Sequence, residues 1–220
     1  VDSGVSILCG GHQVKDTFLG IPIYRFYYPG DRDAVHEECK RLNYRHNGGN
    51  RIWDRVFLDG EGGSDLHTFP QFEDLFTWID ECLAEVASDI GMPNQLKINS
   101  SWANLNRKGD YFYDHTHANC FVSSNYYVNG GPETVTEWYL PNPWYSKSNI
   151  WPWGEWTEEK FFLKHSEPTE PGKFIVFPPT IRHRASPNLS EEDRITIAAN
   201  AFPDGLINAT GVSHLNVQVL

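Results

Sequence analysis

The sequence has no apolar run near the roughly 18 residues that a membrane-spanning helix needs, and no charged-then-apolar leader opens it. A soluble, intracellular (cytoplasmic) protein is expected, with no membrane partner. Basic residues are in deficit: 18 Lys and Arg against 29 Asp and Glu give a formal net charge of −11. A general grip on nucleic-acid backbone or anionic lipid requires a positive field, so nucleic acid is not an expected partner, although a local basic pocket is still allowed. Cysteine is also scarce. Cys9, Cys39, Cys82 and Cys120 are scattered without any C-x-x-C, which suggests neither a zinc knuckle nor a disulfide framework and leaves them as buried or indifferent thiols. Asn-x-Ser/Thr matches at Asn99, Asn188 and Asn208 would matter only in a secreted protein and are read as chance. Repeats and low-complexity tracts are missing.

What the chain does have is aromatic residues, 14% of it with eight Trp, in a composition that is 40% hydrophobic. That is enough for a sizeable core with aromatics left over to line a site. A length of 220 residues fits one domain, since single all-β barrels and sandwiches reach about 200 to 250 residues.

Leu19 to Tyr28 is β-branched and aromatic and ends at Pro29-Gly30, as an edge strand followed by a turn would. Asp31 to Leu42 predicts a modest helix with Val35 and Cys39 on one face. Asn43 to Ser64, rich in Asn, Gly and Arg and anchored by Trp53 and Phe57, is expected to be loop. The clearest helix spans Pro70 to Ile90. Phe72, Leu75, Phe76, Ile79, Leu83, Val86 and Ile90 form one stripe, and Glu73, Asp74, Asp80, Glu81 and Glu85 are left to solvent. Pro70 suits its first turn and Gly91 its exit.

From Gln95 the pattern changes to strands. Leu96 to Asn99 leads to Ser101 to Asn106, where alternation puts Trp102, Asn104 and Asn106 on one face. A turn at Arg107 to Asp110 precedes the stretch Tyr111 to Tyr127. Further strands are expected at Phe121 to Val128, Thr134 to Leu140, Lys173 to Pro178 and Arg194 to Phe202, with Pro171-Gly172 turning the chain into the third of these. Pro141 to Thr157 holds Trp144, Tyr145, Trp151, Trp153 and Trp156 without a period, as a lid or substrate wall would, or a loop pinned down by its own aromatics. The outline is mainly β with flanking helices: a double-stranded β-helix, or cupin-like jelly roll. Residues 1–95 would support it, 96–202 form its catalytic core and 203–220 a C-terminal extension.

The chemistry centres on His115-Thr116-His117. In a strand, side chains at i and i+2 leave the backbone on the same side, so the two rings can converge on a metal, although an isolated pair of this kind is more often a wet surface feature. His183 lies 66 residues after His117, just past a strong strand. Three ligands on one side of an iron would leave the other positions open for substrate and oxygen. Arg194 follows 11 residues later, and alternation puts it on the same face as Thr196. A guanidinium and a hydroxyl there can grip one end of a dicarboxylate.

With these residues the sequence resembles the iron(II)/2-oxoglutarate-dependent oxygenases. Within them it is most similar to a group whose motifs appear here as Trp102-Ala103-Asn104, Gly109-Asp110, His115-Thr116-His117, Ser123 or Ser124 with Tyr126-Tyr127-Val128, Phe177-Pro178 with His183, Arg194-Ile195-Thr196 and Asn200. The resemblance covers roughly residues 96–202. It implies Fe(II) on His115 and His183, with His117 in the place where most relatives carry a carboxylate. It also implies Arg194 on the remote carboxylate of 2-oxoglutarate, with a hydrogen bond from Tyr127 and a weaker contribution from Thr196. Asn104 would face cofactor or substrate, or be structural. Asp110 is a candidate partner for an imidazole N–H. The implied reaction couples decarboxylation of 2-oxoglutarate to succinate and CO2 with oxidation by O2, usually hydroxylation, of a small molecule or peptide side chain.

Two other readings compete: a three-histidine cupin dioxygenase without 2-oxoglutarate, which would have no need of Arg194, and a non-catalytic jelly-roll binding module. His12, His36, His46, His67, His165 and His214 have no partner at ligand spacing and are expected to be exposed or locally satisfied.

Overall fold

Alternation of side chains along two long paired strands sets the layering of the molecule. The computed structural model describes residues 14–18, 20–47, 50–53, 65–131, 133–142, 161–208 and 215–219. In chain order the elements are β1 (Val14–Phe18), β2 (Ile21–Tyr27), α1 (Arg32–Lys40), β3 (Arg45–Asn47), β4 (Asn50–Trp53), α2 (Glu73–Asp89), β5 (Leu96–Asn106), β6 (Phe112–His115) and β7 (Val122–Tyr127). They continue with β8 (Val135–Pro141), β9 (Phe162–Pro168), β10 (Lys173–Phe177), β11 (Arg182–Ala185), β12 (Arg194–Pro203), β13 (Gly205–Ile207) and β14 (Leu215–Val217). An eight-stranded sheet in the order β1-β2-β10-β7-β12-β5-β4-β3 faces a four-stranded sheet in the order β6-β11-β8-β9, and β13 pairs with β14. The antiparallel two-sheet arrangement is the expected jelly roll.

On β12, Ile195, Ile197, Ala199 and Ala201 enter the main core, whereas Arg194, Thr196, Ala198 and Asn200 line a cavity on the opposite face. On β5, Ala103 and Leu105 enter the core, and Trp102, Asn104 and Asn106 line the same cavity. What the sequence suggested as two strands is one, because the β12 partner passes from Ser100 to Ile98. The extra residue, Asn99, is a bulge that reverses the parity of β5, so that Ile98 and Ala103 both face the core.

The core face is covered by α2. Phe72, Leu75, Phe76, Ile79, Leu83 and Val86 are buried as their spacing requires, joined by Trp78, Cys82 and Ala87. Ile90 departs from the stripe at 39% exposure, because α2 ends at Asp89 and Gly91, at φ +71°, takes the chain away. Pro70–Phe72 is a separate 3-10 turn. Asp31 caps α1 by accepting from the Ala34 N–H at 2.9 Å, and Val35 and Cys39 are buried. Gly172, at φ +85°, makes the turn into β10: its N–H donates to the Tyr127 carbonyl, and its own carbonyl accepts from Tyr28.

Other expectations need correction. β2 is interior, lying between β1 and β10. Part of the expected loop 43–64 is the β3–β4 hairpin, which extends the large sheet. β9 was not foreseen. Phe57 and the tryptophans of the 141–157 stretch lie outside the described residues, as do Cys9, His12 and His214. Cys39, Cys82 and Cys120 are free thiols. Asn188 is fully buried, its amide donating to the Asn106 and Glu192 carbonyls, so its match to a glycosylation signal has no meaning here. Among the described residues no helix is long and apolar enough to cross a membrane.

Since Leu83 is 1% exposed, Leu83→Ala is expected to lower the unfolding free energy by about 2–5 kcal/mol. Exposed Glu81→Ala should stay within about 0.5 kcal/mol. Urea titration checks both, and equal effects would contradict the assigned helix face.

Candidate active site

β6 and β11 lie side by side with His115 opposite His183. The His115 Nδ1–H donates to the Tyr113 carbonyl at 2.8 Å, and the His183 Nδ1–H to the Ile181 carbonyl at 2.9 Å. Each ring is thus steered by the carbonyl two residues before it. The expectation that both histidines of His-x-His share a strand is corrected, because β6 ends at His115. His117 sits on the connection between the small sheet and β7 in the large one. Its backbone N–H donates to the Pro179 carbonyl at 3.0 Å, and its Nδ1–H donates to Asn200 Oδ1 at 2.7 Å. Asn200 Oδ1 also accepts from Ser123 Oγ at 3.0 Å.

With every Nδ1 carrying a proton toward an oxygen, each Nε2 presents a lone pair. These atoms converge: His115 Nε2 and His117 Nε2 are 3.0 Å apart, and the three ligand atoms lie within 4.8 Å of one another. Lone pairs so placed repel unless a cation stands between them. Imidazole ligands at about 2.0–2.1 Å from an ion and at right angles to each other are about 3 Å apart, so the donor set fits a metal. Burial holds all three imidazoles below their usual pKa, His183 at about 3, and that bias towards the neutral form favours ligation. Asp114 faces away and pairs with Arg182. Asp110 accepts from the Arg107 N–H in a turn, and the Nδ1 partners of the three rings are those named above.

A cavity of about 340 Å3 runs from the histidines to Arg194. Arg194 is 2% exposed, its Nη2 donates to the Ser186 carbonyl at 2.8 Å, and burial pushes its pKa down to about 10. Its Nη1 is buried with no partner among the described residues. A buried guanidinium with an unused N–H invites an anion, and a carboxylate suits it. Thr196 and Asn104 line the same cavity. Tyr127 does not; it is fully buried in a smaller cluster with Trp138 and Phe177. Its hydroxyl, pushed up in pKa by burial, donates to Thr136 Oγ1 at 2.9 Å, and Thr136 does line the cavity.

The sequence alone assigns no role to Asn200 or Asn106. Parity would have found the first, since Asn200 is an even step from Arg194 along one strand. Alternation places Asn106 on the face of Trp102 and Asn104, but its register opposite Arg194 is set by the β5–β12 pairing and cannot be read along one strand. Away from the site, His67 Nδ1 lies 2.8 Å from Ser101 Oγ, and His165 stacks on Trp138 at 5.3 Å, in keeping with local satisfaction.

Residues 100–200 match the model of a family described as "Putative 2OG-Fe(II) oxygenase". No curated protein sequence matches the chain. In fold the chain is similar to HygX from Streptomyces hygroscopicus, solved with nickel and 2-oxoglutarate bound, with TM-score 0.58, 17% identity, and coverage of 90% of this chain and 91% of that one. It is similar to a Pseudomonas putida prolyl-4-hydroxylase, with TM-score 0.56, 12% identity and coverage of 83% and 93%. It is also similar to the epimerase SnoN of nogalamycin biosynthesis in complex with Fe3+, alpha-ketoglutarate and nogalamycin RO, with TM-score 0.56, 15% identity and coverage of 89% and 90%. The similarity to that family is carried by residues 100–200, just under half of the chain, and the jelly roll and the converging histidines agree with it.

Proposed function

We propose that His115, His117 and His183 hold one Fe(II) and that Arg194 binds the remote carboxylate of 2-oxoglutarate in the same cavity. The observation that carries this is the pairing of three converging Nε2 lone pairs with a buried guanidinium whose Nη1–H is unused. When bound, iron and 2-oxoglutarate supply an O2-dependent oxidation coupled to release of succinate and CO2. The chain's own part is orientation and charge. Asn200 and the carbonyls of Tyr113 and Ile181 keep the ligand nitrogens aimed. Thr196 and Asn104 present polar groups to the cofactor's path, and Tyr127 supports that end through Thr136. Three neutral ligands leave the ion its full charge, which favours anionic chelators.

The substrate is a small molecule or a peptide side chain. SnoN was solved with nogalamycin RO and the Pseudomonas protein is a prolyl hydroxylase, and the acidity of this chain disfavours nucleic acid. Three histidines alone would equally suit a cupin dioxygenase; the open N–H of Arg194 favours the 2-oxoglutarate reading.

Anaerobic Fe(II)-loaded protein titrated with 2-oxoglutarate should develop a weak visible charge-transfer band. Arg194→Ala should raise the half-saturating concentration about 10- to 100-fold, as for a lost charged hydrogen bond. No band in demonstrably iron-loaded protein, with Arg194→Ala indistinguishable, would overturn the assignment.

A pH dependence follows from His183, whose pKa is about 3 in the fold against an ordinary 6.5. Its contribution to stability is complete above pH 6.5. Below that the unfolded chain takes up a proton that the folded one refuses, so stability drains away as the pH falls toward 3, by at most about 1.4 kcal/mol per pH unit for one proton. Metal-free protein should therefore lose unfolding free energy between pH 6.5 and 5, and His183→Leu should flatten that slope. Identical slopes would refute a buried neutral imidazole at this position.

A further inference from the structure

We propose that Asn106 shares the remote carboxylate with Arg194, so that the closed end of the cavity is a two-residue carboxylate clamp; this rests on the 2-oxoglutarate reading above. Asn106 is the last residue of β5, 2% exposed, and stands directly opposite Arg194 in the β5–β12 register. Both side chains line the cavity. Each carries a buried donor with no partner among the described residues: Nδ2 of Asn106 and Nη1 of Arg194. A single buried donor left unmade is costly. Two of them, on facing residues that line one cavity, suit a ligand group with two acceptor oxygens such as a carboxylate.

Charge points the same way. Arg194 has no carboxylate partner among the described residues; the one hydrogen bond of its guanidinium there is to a carbonyl. An anion at this end would meet a guanidinium on one strand and a neutral amide on the other, so the amide adds a hydrogen bond without a second positive charge. The backbone at Asn106 is fixed, because its carbonyl accepts from the fully buried Asn188 amide at 2.9 Å, and the Asn188 carbonyl accepts from Gly109 N–H at 2.7 Å. The backbone that carries the amide is therefore in place before a ligand arrives.

Calorimetric titration of anaerobic Fe(II)-loaded protein with 2-oxoglutarate and with oxalate separates the two ends, since oxalate chelates but has no remote arm. Asn106→Leu, close in volume, should weaken 2-oxoglutarate about 10-fold and change oxalate less than about 2-fold. Asn106→Asp, which sets a carboxylate against the ligand's own, should weaken 2-oxoglutarate further, about 100-fold, again sparing oxalate. Because Nδ2 has no protein partner, Asn106→Leu should not lower the thermal midpoint of the ligand-free protein, yet should shrink the rise that 2-oxoglutarate produces. A lowered ligand-free midpoint, unchanged 2-oxoglutarate binding, or an equal loss for oxalate would overturn the clamp. Arg194→Ala tells the two failures apart. If it weakens 2-oxoglutarate while Asn106→Leu does not, only the role of Asn106 falls; if neither does, the 2-oxoglutarate reading falls with it.

Discussion

The pairing of β6 with β11, which sets His115 opposite His183, is the constraint on which the rest of the site depends. A slip of one residue in that register would turn one imidazole to the other face, because side chains alternate along a strand. The ring planes are set equally locally, by carbonyls two residues upstream. His117 completes the set from outside the strand. It lies where the chain crosses from the small sheet to the large one, and the large sheet holds it through Asn200 on β12. The three nitrogens therefore belong to both sheets at once. A cation among them would tie the jelly roll together across its two layers as well as serve chemistry.

The strand that steadies His117 also carries Arg194 and packs the core. Odd residues of β12, from Ile195 to Ala201, meet the helix side, while even ones line the cavity. Folding and function are thus written on opposite faces of one strand, and the hydrophobic face fixes the register of the polar one. The electrostatic result is a positive end and a neutral ligand set inside an acidic protein. The net charge of −11 says nothing of this local field, which comes from one guanidinium held away from water.

The parts of this arrangement legible in the sequence are those that rest on short-range period. The α2 stripe and the common face of Arg194 and Thr196 follow from counting, and His183 follows from a strong strand just before it. What counting misses depends on long-range partners. The Asn99 bulge is set by β12, and β3 and β4 become strands only because β5 offers an edge. β9 was not foreseen: of its seven residues only Glu167 is buried, and it lies at the margin of the small sheet, so alternation leaves no apolar face to read. Tyr127 was assigned a carboxylate partner from the resemblance; its hydroxyl meets Thr136 instead, a pairing set by the distance between two sheets and invisible along one chain.

The other charges around the small sheet are paired among themselves. Glu167 accepts from Arg25 at 2.7–3.1 Å and from Lys173 at 2.7 Å. Burial alone would raise its carboxyl, but these hydrogen bonds outweigh that and hold it below the ordinary range. Glu137 takes Arg184 and Lys164, and Asp114 takes Arg182. Each of these carboxylates is committed to cations other than Arg194, and Lys173, under the Tyr127 ring at 5.7 Å, is itself held by Glu167. Removing a partner from such a buried network leaves an uncompensated charge, which is strongly unfavourable. Arg194 stands apart from these pairs with a buried N–H that none of them uses, and an anion in the cavity would give it the partner it lacks.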